Sequence, residues 1–270
     1  MAMQETKTQT AQAPKSHTEG RPLAGRVALV TGSRRGIGWG IAYGMAQAGA
    51  HVVLNDLDEA TLKPRLEELR QAGLEASSCA FDVTDETAVA RGIASITSAR
   101  GRIDILVNNA GIQKRKRFID FSYDEWRAVI ETHLHGAFLT TRAVLPSMIA
   151  NGFGRIMMIG SIAVQAPKPE ISAYAAAKGG VSSLVRALAV EVAPFGITCN
   201  AIAPGYIATE FTQVLHTDEQ FSARLMERVP AGRWGRPDDI APAAVYLASD
   251  GAAFVNGSIL TVDGGFLALG

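Results

Sequence analysis

Seven short aliphatic runs recur along the chain from residue 26 onward: VALVT, HVVLN, ASSCAF, IDILVNN, RIMMIG, ITCNAI and ILTVDG. Between them lie segments of helical length, near residues 37–49, 58–72, 84–100, 122–150, 172–194 and 238–249. Runs this apolar read as strands covered on both faces, and the alternation requires parallel pairing, because a parallel connection needs room for a crossover helix. The pattern predicts an α/β fold: a doubly wound, seven-stranded parallel sheet with helices on both faces, in one domain spanning residues 23–270. Residues 1–22 are polar and lack an apolar stretch, so they read as a disordered tail rather than a signal peptide. The segment 205–236 breaks the rhythm with glycine, proline and a mixed-charge helix, TDEQFSARLMERV. It reads as a mobile lid beside the carboxyl ends of the strands.

Charge and composition narrow the function classes. With 26 basic and 26 acidic residues the formal net charge is zero, which removes the general attraction that nucleic-acid or anionic-membrane binding needs. No run of 18 apolar residues suggests a membrane span. Cys79 and Cys199 are too few for a disulfide framework and not spaced as metal ligands, so both are expected to pack as small apolar side chains in a reducing compartment. A cytoplasmic protein acting on a small molecule, without a metal, is the expectation.

The first strand runs into TGSRRGIG, residues 31–38, which opens the first helix. Gly32, Gly36 and Gly38 let backbone approach backbone, and the free N–H groups of the helix start, with Arg34, Arg35 and Ile37 in the turn, suit a dinucleotide pyrophosphate. An ordinary tight turn is the alternative. Asp56, at the end of the second strand, can accept from an adenosine ribose and would repel a 2′-phosphate, so NAD is the expected cofactor. NADP remains open, because Arg34 and Arg35 could pair with that phosphate; Asp56 could instead cap the next helix. In FDVTD, Asp82 is a candidate partner for the adenine amino group with Val83 along the ring, unless Asp82 or Thr84 only caps a helix. NNAG, residues 108–111, either ties the sheet together through its asparagines or offers Asn109, Ala110 and Gly111 as a wall against the ribose.

In AYAAAK, Tyr174 and Lys178 stand four residues apart and share one helix face, with small spacers that let another surface approach. TGxxxGxG, NNAG, a serine thirteen residues before YxxxK, and the following APG, taken in that order, resemble the short-chain dehydrogenase/reductases of the single-domain Rossmann type, over residues 25–270. The resemblance implies that Tyr174 is the acid/base, that Lys178 lowers its pKa and binds the nicotinamide ribose, and that Ser161 hydrogen-bonds the substrate oxygen. Bringing a phenol from about 10 to about 7 takes about 4 kcal/mol, which a unit charge about 4 Å away at an effective dielectric near 20 would supply. It also implies that Pro204, Gly205, Ile207 and Thr209 line the nicotinamide, that Tyr206 faces the substrate, and that a homotetramer forms through the helices near 122–150 and 172–194 and the last strand. The family usually has an asparagine in the helix before the fifth strand, holding water for a proton relay; ETHLHGAF places His133 there. Either the histidine contributes to the relay, since imidazole can carry protons near neutral pH, or it is a tolerated helix residue beside a main-chain relay.

GIQKRKRF puts four cations after NNAG, at the expected mouth. Lys114, Lys116 and Arg117 read as solvated surface, whereas the fork of Arg115 suits a substrate carboxylate. Within the family, NNAGIQKR, IAPGYIATEFTQVL, PAGRWGRPDD and FVNGSILTVDGGFLA look like the branch of gluconate 5-dehydrogenases and 2-deoxygluconate 3-dehydrogenases. The leading expectation is therefore hydride transfer between the nicotinamide and a secondary alcohol or ketone of a small sugar acid. An NADPH-dependent 3-oxoacyl carrier-protein reductase is the alternative. A dinucleotide-binding sensor without turnover is the non-enzymatic one.

Overall fold

The computed structural model describes residues 20–269, so most of the expected tail, residues 1–19, lies outside the described residues. Seven strands appear where the aliphatic runs stand: β1 Val27–Val30, β2 His51–Leu54, β3 Ala76–Ser78, β4 Ile105–Asn108, β5 Gly154–Ile159, β6 Ile197–Pro204 and β7 Ile259–Val262. They form one sheet in the order β3-β2-β1-β4-β5-β6-β7, and every pair is parallel. The strand order reverses between β1 and β4, which opens a crevice at their carboxyl ends.

The helices follow the polar punctuation. α1 spans Gly36–Gln47, α2 Glu59–Gln71, α3 Glu86–Arg100, α4 Tyr123–Ile130, α5 Gly136–Asn151 and α6 Ser172–Val192; α7 Gln213–His216 and α8 Glu219–Met226 are short, and α9 is Pro237–Ala248. Asp58 caps α2 by accepting from Ala60 N, Asp85 caps α3 through Ala88 N, and Ser122 with Glu125 closes a capping box on α4. Alternate strand residues separate onto two cores. Ala28 and Val30 pack with Ile41, Leu62 and Ile240 from α1, α2 and α9; Val27 and Leu29 pack on the other face with Ile93, Val144 and Val185 from α3, α5 and α6.

One expected helix, 122–150, is interrupted. Residues Glu131–His135 form a π-helical turn between α4 and α5. Threonine hydroxyls satisfy carbonyls on either side of it, Thr132 donating to Ala128 O at 2.9 Å and Thr140 to Gly136 O at 2.7 Å. The extra residue of the wider turn brings His133 into the interior, 4 % exposed. The segment 205–236 contains α7 and α8 and carries a small core of its own, in which Leu225 and Val229 pack with Ile162 and Phe266 beside Tyr206, Phe221 and Trp234. It sits over the carboxyl end of β6, as expected from sequence.

Candidate active site

A cleft of about 460 Å³ opens at the carboxyl ends of the strands, and every expected site residue lines it, from Gly32 to Thr209. One end is built by the turn after β1. A Cβ on Gly38 would collide with the Asn109 amide and the Gly32 carbonyl, so only glycine lets the helix start this close to the NNAG segment. The amino end of α1 has no side-chain cap from Arg35 and no acidic residue in its first turn. Its N–H groups are therefore available to an anion, and the residues present fit a pyrophosphate.

The competing structural roles of the acidic and amide residues resolve individually. Asp56 does not cap α2, since Asp58 does; it accepts from Leu57 N at 2.9 Å and lies 3.9 Å from the Arg34 guanidinium. Asp82 does not cap α3 either: one of its carboxylate oxygens takes both the Thr84 N–H and hydroxyl at 2.8 Å, and Asp85 holds the cap. Asn108 and Asn109 do tie the fold. Asn108 donates to Thr141 and accepts from Thr140, and Asn109 donates to the carbonyls of Thr31 and Gly32. Ala110 and Gly111 then present their main chain to the cleft.

At the other end, Ser161 follows β5 and Tyr174 and Lys178 lie in α6. Ser161 Oγ accepts from Ala163 N at 3.0 Å, which caps a short 3₁₀ turn and leaves the hydroxyl proton free for another acceptor. Lys178 is 4 % exposed and donates to Ile159 O at 2.5 Å; its Nζ is 5.6 Å from the Tyr174 ring centre. Burial lowers the lysine to about 7. Burial raises the Tyr174 phenol, while the Ser161 hydroxyl and the Arg115 charge pull it down. Here the ammonium bonds a main-chain carbonyl, and the charge acting on the phenol comes from Arg115.

For His133 two readings stand, a part in the proton relay or a tolerated helix residue, and its surroundings bear on both. Its Nε2 lies 2.8 Å from Ile112 O, and since a carbonyl can only accept, the ring is the Nε2–H tautomer there. Nδ1 is buried without a partner, and burial followed by the Lys178 charge lowers the imidazole to about 3. A ring neutral throughout the physiological range can accept a hydrogen bond at Nδ1 but does not cycle through imidazolium near pH 7. It packs edge-on to Tyr174, 5.3 Å between ring centres, and against Gly111, where any side chain would collide with it.

Beyond β6, Gly205 N bonds Val262 O, Ile207 is buried in the first core, and Thr209 shares a reciprocal capping arrangement with Thr212. Tyr206 sits in an aromatic group with Phe221, Trp234 and Phe266. The four-cation run sorts itself: Lys116 pairs with Glu125 and Arg117 with Asp120, both at 2.6 Å, while Arg115 lines the cleft. Of the lining residues that escaped the sequence reading, three stand out. Gln113 has a buried, unpartnered side-chain oxygen. Lys168 follows a loop with no periodicity, and Phe211 meets Tyr174 at 6.0 Å. Only the position of Gln113 two residues after NNAG could have signalled it.

Comparison with known proteins agrees with this geometry. The family described as enoyl-(acyl carrier protein) reductase matches residues 32–267. A gluconate 5-dehydrogenase of Gluconobacter oxydans is 43% identical over 250 residues, covering 93% of this chain and 98% of that protein. A 5-keto-D-gluconate 5-reductase of Escherichia coli is 41% identical over 245 residues, 91% of this chain and 96% of the relative. Among solved structures, a gluconate 5-dehydrogenase from Burkholderia cenocepacia in complex with NADP and tartrate superposes with a TM-score of 0.89 at 43% identity, over 91% of this chain and 96% of that one. The chain belongs to the short-chain dehydrogenase/reductase family.

Proposed function

We propose that the protein is an oxidoreductase that moves a hydride between a nicotinamide cofactor and a secondary carbinol or ketone of a small sugar acid of the gluconate and 5-ketogluconate kind. The observation that carries this reading is one cleft lined at one end by the uncapped start of α1 and at the other by Ser161, Tyr174 and Lys178, with unpaired Arg115 beside them. The relatives named above support the substrate class.

A bound nicotinamide supplies the hydride donor or acceptor. Gly32, Arg34, Arg35, Gly36, Ile37 and Gly38 would hold the pyrophosphate, Asp82 and Val83 the adenine, and Ala110 and Gly111 the adjoining ribose. Pro204, Gly205, Ile207 and Thr209 would flank the ring. The cofactor reading is NAD with NADP accepted. Asp56 suits a 2′-hydroxyl, yet the Arg34 guanidinium 3.9 Å away weakens its repulsion of a phosphate, and NADP occupies the Burkholderia relative.

In the oxidative direction Ser161 Oγ would donate to the substrate oxygen and Tyr174, as the phenolate, would take the carbinol proton as the hydride passes to the nicotinamide; in reduction the phenol would return the proton. Lys178 leaves two N–H groups beyond its bond to Ile159 for a ribose and for the phenol. A void of about 10 Å³ touches Lys178, His133, Asn108 and Thr31, room for about one water on a route out of the cleft. His133 is placed there as a hydrogen-bond acceptor.

The reading extends to a cytoplasmic homotetramer. Phe138 and Ile149 on α5, Val190 on α6 and Phe254 before β7 are exposed on a single chain, and such surface is expected to be covered in an assembly. Among the described residues no helix is long and apolar enough to cross a membrane.

An absorbance screen of gluconate, 5-ketogluconate, 2-deoxygluconate and an acetoacetyl thioester with both cofactors tests the assignment. Turnover of a sugar acid is expected. Preferential reduction of the thioester with NADPH would replace this reading with the acyl reductase, and cofactor binding without any turnover would replace it with the sensor.

A further inference from the structure

Two loops meet over the substrate end of the cleft. One follows β4 and carries Arg115; the other follows β5 and carries Lys168. Lys116 N donates to Glu170 O at 3.1 Å, joining them one residue from Arg115 and two from Lys168. Glu170 holds φ at +68°, a conformation unfavourable for a side-chain-bearing residue, which this cross-link helps to fix.

The neighbours of Lys168 are unusual for a lysine. Its Nζ stands 4.8 Å from the Tyr206 ring centre and 4.7 Å from that of Phe221. Arg228 rests 4.7 Å over Phe266, whose ring is 5.4 Å from Tyr206. Two cations therefore rest on one aromatic group with Arg115 lining the cleft, and among the described residues no carboxylate is within ion-pair distance of Arg115, Lys168 or Arg228. Burial, then Arg228, then Arg115 lower the lysine's affinity for its proton, the physical signature of like charge without a counter-ion. An aromatic face retains a cation weakly and releases it to an oxyanion at little cost.

The geometry points to Lys168 as the second arm of an anion clamp: with Arg115 it grips the carboxylate of the substrate at the end remote from Ser161 and Tyr174, while Arg228 reinforces the field from behind. This deepens the sugar-acid reading and rests on it. The clamp sets which substrates are accepted rather than how the proton moves, because Lys168 contacts the aromatic wall and not the reacting pair.

Calorimetric titration of the cofactor-loaded protein with gluconate and with glucitol, its uncharged analogue, tests the clamp without requiring turnover. In Lys168→Met, whose side chain keeps its packing on the rings, the ratio of acid to polyol affinity is expected to fall about 10- to 100-fold, the range for one charge-assisted hydrogen bond, and Lys168→Arg should restore most of it. An unchanged ratio would overturn the clamp, as would wild-type protein with no preference for the acid. Tighter binding of glucitol 6-phosphate than of gluconate would overturn the assignment to a carboxylate. A Lys168-dependent preference in a protein that fails to oxidise the acid would instead refute the proposed activity and leave the clamp standing.

Discussion

Replacing Lys178 by methionine should stabilise the cofactor-free protein at neutral pH while removing its activity. Burial holds this amine at about 7 against an ordinary value of 10.5. The unfolded chain keeps the proton up to the higher value and the folded chain releases it near the lower, so the unfolded state binds more protons between them. Stability therefore rises with pH through that window, and the penalty is complete below it. At pH 7 the difference corresponds to about 4 kcal/mol. Methionine escapes it but forfeits the bond to Ile159 O, worth about 1–3 kcal/mol as a buried carbonyl left unsatisfied. A net gain of about 2 kcal/mol remains, or about 4–8 °C in Tm for a domain of this size. By pH 10 the penalty has shrunk below about 1 kcal/mol, so the variant should lose its advantage and become the less stable of the two. Thermal melts of both proteins without cofactor, from pH 7 to pH 10, read this directly. A variant less stable at pH 7, or a gap that does not narrow as pH rises, would refute the argument that the buried ammonium opposes folding.

Tyr174→Phe should lower kcat by about two to four orders of magnitude while cofactor affinity stays within about threefold, measured by fluorescence titration; retained turnover would contradict the acid/base assignment. His133→Asn should leave the pH profile of kcat/KM without a new or missing limb between pH 5 and pH 8, because the imidazole is already neutral there. Loss of a limb near its ordinary value would show that the ring carries a proton. Arg34→Ala should weaken NADP about 10-fold relative to NAD, and Asp56→Ala should shift the same ratio the other way, read from paired KM values; shifts in one direction for both would break the proposed division of labour. Gly38→Ala should cost about 1–3 kcal/mol and weaken both cofactors together, since the added carbon meets the Asn109 amide and the Gly32 carbonyl.

The sheet was legible because its inner strands β1 and β4 and its neighbour β2 are short, fully buried and largely aliphatic runs, which have little freedom to be anything else. The glycine turn, NNAG and the Tyr174–Lys178 pair were legible for a related reason: each is local, its geometry fixed by spacing along one turn or one helix. What stayed hidden depends on parts of the chain far apart. The π turn at Glu131–His135 is announced by no helical pattern, nor is the contact from Thr140 in the following helix to Asn108 on β4, 32 positions away. Lys168 acquires its neighbours only when α8 and the end of the chain fold over the loop after β5. The burial of Lys178 was not legible either, because the strength of an ion inside a protein depends on who solvates it, and the sequence names the ion without its surroundings.

The rule-breaking groups of the molecule divide into two populations with different meanings. At the amino ends of the strands, buried Asp104 and Arg155 are polar residues in the interior, yet Asp104 receives Val27 N and the guanidinium of Arg102, and Arg155 donates to the carbonyl of Gly154 and stacks on Phe153. The charges there meet charge, carbonyl or ring, although Arg102 Nε, Asp104 Oδ1 and Arg155 Nε have no hydrogen-bond partner of their own among the described residues, and the network can be understood as structure. At the carboxyl ends the unanswered groups face the cleft. Lys178 is buried against one carbonyl, His133 Nδ1 and Gln113 Oε1 have no partner, Arg115 and Lys168 have no counter-ion, and Glu170 sits at a positive φ. Unpartnered buried atoms thus occur at both ends of the sheet, and what sets the carboxyl ends apart is that cations without counter-ions and unpaired acceptors there share one cleft. A ligand with phosphates at one end and a carboxylate and hydroxyls at the other would satisfy many of them, which is the strongest reason to place the chemistry there.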